Sequence, residues 1–120
     1  MAEFRALYPD LDIVYFGDRV NCPYGARSPE DIRVLTLAGV KHLVDAGCVI
    51  IILACNTAAT HAIQYLQQEV YPSGSGVKIL GVTVPGVEAA LRAYTHGLVG
   101  ILATQATANA HVYSRKLREG

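Results

Sequence analysis

The stretch that most restricts what this chain can fold into is an unbroken apolar run at residues 49–54. The run is rich in β-branched side chains, which is typical of a strand buried on both faces in a parallel sheet. It ends abruptly in a thiol, an amide and a hydroxyl, contributed by Cys55, Asn56 and Thr57. Apolar residues then recur at helical spacing from Ala59 to Val70, so these polar side chains are predicted where a strand turns into a helix. Because a helix N-terminus attracts negative charge, such a turn can receive a carboxylate beside the thiol.

The rest of the chain continues the same alternation of strand-like and helical patterns. Strand-like runs are predicted at residues 12–16, 77–82 and 98–103, and helical segments at residues 1–9, 28–47, from 85 onward and 106–117. Strands that alternate with helices favour a parallel sheet covered by those helices. We therefore predict an α/β fold, a three-layer parallel sheet of about four strands with helices on both faces.

Polar segments follow the predicted strands at the point where each strand ends. These segments are Gly17-Asp18, Cys55-Asn56-Thr57, Thr83-Val84-Pro85 and Thr104-Gln105-Ala106-Thr107. Ligands of open α/β sheets bind outside the carboxyl ends of the strands. The sequence therefore predicts that the polar candidates converge on one edge of the sheet.

Composition and charge exclude several classes of function. The 120 residues carry ten basic and ten acidic side chains with neither sign clustered, so no nucleic-acid partner is predicted. No apolar run reaches the ~18 residues of a membrane span, and the amino terminus lacks the layout of a signal peptide. Three cysteines cannot all pair, and no spacing among the four histidines indicates a metal site. We predict a reduced, cytoplasmic protein without a membrane or metal partner.

Five short motifs occur in a fixed order between residues 12 and 117. They are Gly17-Asp18, Pro23-Tyr24-Gly25, Ser28-Pro29-Glu30, Ala54-Cys55-Asn56-Thr57-Ala58, and Gly81-Val82 with Pro85-Gly86 after two intervening residues. In this order and at these distances the motifs resemble those of the glutamate racemases in the aspartate/glutamate racemase superfamily. The resemblance implies one flavodoxin-like half of a two-domain enzyme. Such an enzyme interconverts L- and D-glutamate without a cofactor and supplies the D-isomer for bacterial peptidoglycan.

The resemblance also implies roles for individual residues. Cys55 matches the first-domain cysteine, one of two thiols that serve as acid and base on opposite faces of the substrate. Four residues match positions that bind the substrate: Tyr24, Gly25, Asn56 and Thr57. Four more are secondary candidates for the site: Asp18, Pro23, Thr104 and Thr107.

Several of these residues also have a plainer structural interpretation. Free cysteines are commonly buried in cores, which is the alternative for Cys55. Tyr24 could pack its ring over the loop, and Asp18 could cap that loop after its strand. Thr107 lies near a predicted helix start, where a threonine is often an N-cap. Cys22 is an alternative thiol, because it lies in the loop predicted to line the site.

Two parts of the family's pattern have no match in this sequence. The amino-terminal strand with its Asp-Ser-Gly signature and the second cysteine in its Cys-Thr-His setting are both missing, so we interpret the chain as truncated at both ends. Residues 1–97 are expected to form a first domain without its first strand. Residues 98–120 either begin a second domain or pack a last strand and helix on the first. An open sheet edge and exposed apolar surface favour a homo-oligomer, and a dimer could bring two copies of Cys55 across one cleft.

Three functions are consistent with these residues. The first is a glutamate racemase homologue or fragment that supplies one thiol of a two-thiol site. The second is another superfamily enzyme, either an aspartate racemase or a decarboxylase-like enzyme that works with a single cysteine. The third is a non-catalytic domain that keeps a carboxylate pocket or acts through a partner surface.

Overall fold

The computed structural model describes all 120 residues and contains six α-helices, one π-helical turn and two β-strands. In chain order the elements are α1 (Ala2–Leu7), α2 (Pro29–Asp45), β1 (Ile50–Leu53), α3 (Asn56–Tyr65), the π-helical turn (Leu66–Val70), β2 (Lys78–Gly81), α4 (Thr83–Ala93), α5 (Gln105–Asn109) and α6 (Val112–Glu119). None of the helices combines the length and the apolar character that crossing a bilayer requires. The predicted α/β class is confirmed.

β1 and β2 form a two-stranded parallel sheet, which confirms the predicted strand direction. Ile50 pairs with Lys78 and Leu53 pairs with Gly81, and α3 lies between the two strands in the chain. One face of the sheet packs against α2 and α3 in the main core. The buried side chains of this core are Val40, Ile51, Leu53, Ala59, Ala62, Leu66 and Ile79.

The prediction of about four strands is wrong, because the structure has two. Residues 12–16 and 98–103 have strand-like sequences, yet they make no backbone hydrogen bonds to a neighbouring strand. A β-strand exists only through the ladder it forms with its neighbour, and β-propensity reflects the fit of a side chain to such a sheet. Without a hydrogen-bonded neighbour these two segments have no regular secondary structure.

β1 also differs from the strand expected to be buried on both faces. Its side chains alternate between exposed and buried, with Ile50 and Ile52 exposed and Ile51 and Leu53 buried. Leu80 of β2 is exposed on the same pattern. The apolar run therefore has the composition of a strand buried on both faces, yet the helices of this chain cover only one face of the sheet. Ile50 and Ile52 of β1 and Leu80 of β2 remain exposed on the other face.

α2 begins and ends where the sequence predicts. The Ser28 side chain accepts a hydrogen bond from the Asp31 backbone N–H (3.1 Å), and Pro29 occupies the first turn. A serine N-cap and a proline in the first turn are both typical of helix starts. After Asp45 the chain turns through Gly47. Its φ of +90° lies in the left-handed region, which glycine adopts more readily than any other residue.

The later helices differ from the predicted ones at their boundaries. α4 begins at Thr83, two residues before the predicted start at Pro85. The single last helix expected at 106–117 is two helices, because His111 between them has a φ of 53° and interrupts the helical path. α5 packs on α3 and α6 packs on α4, so the last residues contact the elements that precede them.

Candidate active site

Cys55 lies at the turn from β1 into α3, where the sequence predicts it. Its backbone is extended (φ −88°, ψ 119°), and its carbonyl oxygen accepts the first helical hydrogen bond, from Ala59 N–H at 2.9 Å. The side chain is exposed and makes no capping hydrogen bond. This position contradicts the alternative of Cys55 as a buried free cysteine. The thiol therefore lies in the open beside the unpaired N–H groups at the start of α3.

The residue after Asn56 is Thr57, and its hydroxyl lies close to the hydroxyls of Thr104 and Thr107. Thr57 is only 4% exposed, and its Oγ1 lies 2.9 Å from Thr104 Oγ1 and 3.4 Å from Thr107 Oγ1. Thr104 Oγ1 and Thr107 Oγ1 are 3.1 Å apart. We call Thr57, Thr104 and Thr107 the threonine cluster. It brings together the ends of two segments that are 47 residues apart in the chain.

The N-cap of α5 is Thr104, not Thr107. Thr104 Oγ1 accepts from the Thr107 backbone N–H at 3.4 Å, while Thr107 itself is buried inside the first turn. The alternative of Thr107 as a simple N-cap is therefore wrong. The N-cap lies about one turn earlier than the sequence predicts, because Thr104 has the extended backbone that an N-cap needs.

The loop with Tyr24 and Gly25 is attached to α5. The Gly25 carbonyl accepts from the Ala106 backbone N–H at 3.1 Å. A Cβ at Gly25 would lie 2.7 Å from Thr104 Cβ, so only glycine permits this approach. The loop therefore packs directly against the threonine cluster. Pro23 is exposed and follows Cys22 through a cis peptide bond.

Asp18 organises the start of the same loop. Its carboxylate accepts a hydrogen bond from Tyr24 Oη at 2.6 Å and from the backbone and side chain of Asn21 at 3.0 to 3.1 Å. Arg27 Nε donates to the Asn21 carbonyl at 3.0 Å and closes the loop. Asp18 thus caps its own loop, as its structural interpretation predicts, and it also holds the Tyr24 hydroxyl.

The pKa values of Asp18 and Tyr24 move in opposite directions. The Tyr24 hydrogen bond is the largest cause that holds the pKa of Asp18 below its usual value, and the Asn21 donors add to it. Burial is the largest cause that raises the pKa of Tyr24, followed by its hydrogen bond to Asp18 and then by the charges of Asp18, Cys55 and Cys22. Tyr24 therefore stays a neutral donor beside the Cys55 and Cys22 thiols.

A cleft of about 720 Å³ opens beside Cys55. Its polar end is formed by Cys55, Asn56 and the threonine cluster, and its apolar end by α4, α6 and residues 99–103. Asp18, Pro23, Tyr24 and Gly25 do not line this cleft. The structure therefore brings five of the nine candidate residues into one cleft and places the other four in the adjoining loop.

One predicted contributor, the strand end at residues 83–85, lies away from the cleft. Of the strand end at 83–85, Thr83 is buried within α4, its hydroxyl has no hydrogen-bond partner, and none of the three residues lines the cleft. No group of three or more His, Cys, Asp or Glu side chains is placed to hold a metal ion. Of the four segments predicted to converge, residues 55–57 and 104–107 meet in the cleft, and the loop after Asp18 lies beside them.

Tyr113 and His61 were not identified by sequence reasoning. The Tyr113 hydroxyl hydrogen-bonds Asn56 Oδ1, and His61 Nε2 lies 3.0 Å from the Ala106 carbonyl oxygen. Both contacts join residues at least 45 positions apart, on helices whose packing the sequence does not specify. The only signal for Tyr113 is an aromatic residue on the cleft-side helix, which is too common to single it out.

Comparison with known proteins identifies a family over almost the whole chain. The family model described as Asp/Glu/Hydantoin racemase matches residues 2–120. The glutamate racemases of Phenylobacterium zucineum and Aquifex pyrophilus are each 40% identical to this chain. These matches cover 88% and 97% of this chain, respectively, and 44% of each relative.

Solved structures agree with the sequence matches. Glutamate racemase from Aquifex pyrophilus superposes with a TM-score of 0.90 at 38% identity, over 98% of this chain and 45% of that one. Glutamate racemase from Francisella tularensis, solved in complex with D-glutamate, superposes with a TM-score of 0.82 at 30% identity, over 97% of this chain and 41% of that one. The chain spans less than half the length of these relatives.

Proposed function

Because the chain belongs to the Asp/Glu/Hydantoin racemase family, we propose that it carries one half of a glutamate racemase site in which Cys55 is an acid/base thiol. The observation that carries the proposal is the exposed Cys55 thiol, at the start of α3 and at the polar end of the cleft. The relatives named glutamate racemase, one of them solved with D-glutamate, support glutamate as the substrate. The product would serve peptidoglycan synthesis.

The chemistry needs a base on one face of the α-carbon and an acid on the other. One thiolate removes the α-proton, and the opposite thiol returns a proton to the other face of the planar carbanion, which inverts the configuration. No redox change occurs and no cofactor is needed. In this proposal Cys55 takes the proton from one enantiomer and gives it back in the reverse reaction.

The residues around Cys55 can stabilise the carbanion. Its negative charge spreads onto the substrate carboxylate, so hydrogen-bond donors aimed at that group lower the barrier. Asn56 supplies a side-chain amide, and the first N–H groups of α3 point toward the same place. Thr57 and Thr107 supply hydroxyls from the threonine cluster. Tyr24 and Gly25 complete the substrate-binding side from the adjoining loop.

The second thiol of the proposed mechanism comes from outside these 120 residues. Cys48 is partly buried and packs against the main core, so it is not available to a substrate. Cys22 is exposed, but it lies in the loop beside Tyr24 and does not line the cleft. We propose that residues 98–120 begin the half that supplies this thiol, or that a second copy of the chain supplies it in a dimer.

Ligand binding tests the proposed substrate. L-Glutamate and D-glutamate should saturate the chain and shift the backbone amide signals of Asn56 and Thr57 in a nuclear magnetic resonance titration, with aspartate binding more weakly. Asn56→Ala should weaken glutamate binding by about tenfold, because it removes a donor to a charged carboxylate. Asn109→Ala is the matched control, since the exposed Asn109 side chain accepts a hydrogen bond from Gln105 and does not line the cleft.

Two of the rival functions give different results in this titration. A preference for aspartate favours the aspartate racemase. The absence of saturable binding by any dicarboxylate contradicts the proposal and favours a non-catalytic domain that acts through a partner surface. Exchange of the glutamate α-proton with solvent is measured on the same samples and should depend on Cys55, whereas D-glutamate formation also needs the second thiol.

A further inference from the structure

Tyr113 contacts the proposed site from α6, a helix that contains none of the five sequence motifs. It lies on α6, and its hydroxyl hydrogen-bonds Asn56 Oδ1 at the start of α3. Both residues line the cleft beside Cys55. The contact joins positions that are 57 residues apart in the chain. It therefore links the thiol-bearing turn to the last helix.

The Tyr113 ring lies near α4 as well as near Asn56. α6 packs on α4, and a Cβ at Gly86 of α4 would lie 3.5 Å from the Tyr113 hydroxyl oxygen and 3.7 Å from its Cε1. The hydroxyl therefore reaches Asn56 from α6, an element that packs on α4 and lines the cleft.

The hydrogen bond decides which part of the Asn56 amide is free. The tyrosine hydroxyl donates to Oδ1, and Asn56 Nδ2 makes no hydrogen bond to a protein acceptor. Both N–H groups of Nδ2 therefore remain available to an acceptor such as a carboxylate. An exposed asparagine loses side-chain freedom when it binds a ligand, and fixing its rotamer beforehand removes that loss from the binding step.

We propose that Tyr113 is a positioning residue that orients the Asn56 amide toward the substrate carboxylate. This assignment rests on the proposed function, in which Asn56 binds that carboxylate. Tyr113 does not touch the reacting atoms, and its effect passes through Asn56. Because the carboxylate already carries a full negative charge in the ground state, most of its contact with Asn56 is made before the transition state, so loss of the orientation raises KM more than it lowers kcat.

The test removes the hydroxyl and keeps the ring. In Tyr113→Phe, KM for glutamate in α-proton exchange should rise about two- to tenfold, with kcat changed by less than about twofold. The side-chain amide signals of Asn56, assigned by their loss in Asn56→Ala, should shift in the same variant. Tyr94→Phe is the matched control, because its hydroxyl donates to the Gly97 carbonyl away from the cleft.

A double-mutant cycle separates positioning from general packing. If Tyr113 acts through Asn56, Tyr113→Phe should have no further effect on KM in the Asn56→Ala background. An equal effect in both backgrounds, or unchanged Asn56 amide signals in Tyr113→Phe, would overturn the assignment and leave the proposed function standing. A chain that does not bind glutamate at all would overturn the proposed function and the assignment with it.

Discussion

At the scale of single residues, the contact between Asp18 and Tyr24 gives the clearest electrostatic signature. The Tyr24 hydroxyl donates to the Asp18 carboxylate at 2.6 Å, and burial and the nearby negative charge raise the pKa of Tyr24 above its ordinary value of 10.0. The folded chain therefore holds this proton at a pH where the unfolded chain releases it. Stability should fall as the pH rises above about 10, since the unfolded state then binds fewer protons.

Tyrosinate absorbance measures this shift directly. On titration to high pH, one tyrosine should ionise after the others, and the late component should be missing in Tyr24→Phe. Asp18→Asn removes the acceptor charge and leaves the burial of Tyr24 in place, so the late component should move part of the way back toward pH 10. Asp12→Asn is the control carboxylate outside the loop. An unchanged titration in Asp18→Asn would show that the hydrogen bond does not hold the Tyr24 proton.

At the scale of elements, Gly25 determines whether the Tyr24 loop can dock on α5. A Cβ at Gly25 would lie 2.7 Å from Thr104 Cβ, and that side chain is held by Thr57 at 2.9 Å. Gly25→Ala should therefore displace the loop or the threonine cluster and destabilise the fold by about 1–3 kcal/mol. Urea unfolding measures the change in the free energy of unfolding.

Gly100→Ala is the matched control for this substitution. A Cβ at Gly100 meets no heavy atom within 4 Å, and its φ is not in the left-handed region. The free energy of unfolding of the Gly100→Ala variant should be unchanged or slightly raised, because alanine restricts the conformations of the unfolded chain. Equal stability for Gly25→Ala and Gly100→Ala would contradict the docking of the loop on Thr104.

Local patterns predicted the individual elements better than their assembly. The Ser28 cap and the turn at Cys55 follow from neighbouring residues, so sequence alone was sufficient for them. Residues 12–16 and 98–103 have strand-like composition, but a strand also needs a neighbouring strand, and the sequence does not say whether one is present. The break at His111 was missed because a left-handed non-glycine residue has no reliable sequence signal.

For the candidate site residues too, local sequence predicts neighbours in the chain better than contacts between distant segments. Cys55, Asn56 and Thr57 are consecutive, so their shared location could be predicted from one motif. The meeting of Thr57 with Thr104 and Thr107 was expected only in general terms, from the rule that strand ends converge. Tyr113 depends on the packing of α6 on α4, and no local pattern carries that information.

At the scale of the whole molecule, the chain leaves much apolar surface uncovered. Its radius of gyration is 15.3 Å, compared with about 13–14 Å expected for a globular domain of this length. Leu98 and Leu102 are as exposed as in an extended peptide, at 103% each. Exposed apolar surface of this kind commonly marks an interface. We therefore expect the chain to self-associate.

Sedimentation analysis tests this expectation. The mass of the chain should increase with concentration, and the double variant with Leu98→Ser and Leu102→Ser should weaken association by about tenfold or more, because each leucine loses favourable burial. Val34→Ser on α2 is the control for an exposed apolar residue on a helix. A chain that stays monomeric at high concentration would contradict the expectation of a homo-oligomer.

Proton exchange at the α-carbon of glutamate tests the central claim, that Cys55 is an acid/base thiol, most directly. In D₂O the chain should introduce deuterium at the α-carbon of glutamate, and Cys55→Ser should slow this exchange by at least about 100-fold. Cys48→Ser, which alters a thiol packed against the core, should leave the ratio of exchange to glutamate binding unchanged. Exchange without inversion fits a chain that supplies one thiol, whereas exchange by Cys55→Ser at the rate of the unmodified chain would contradict the account.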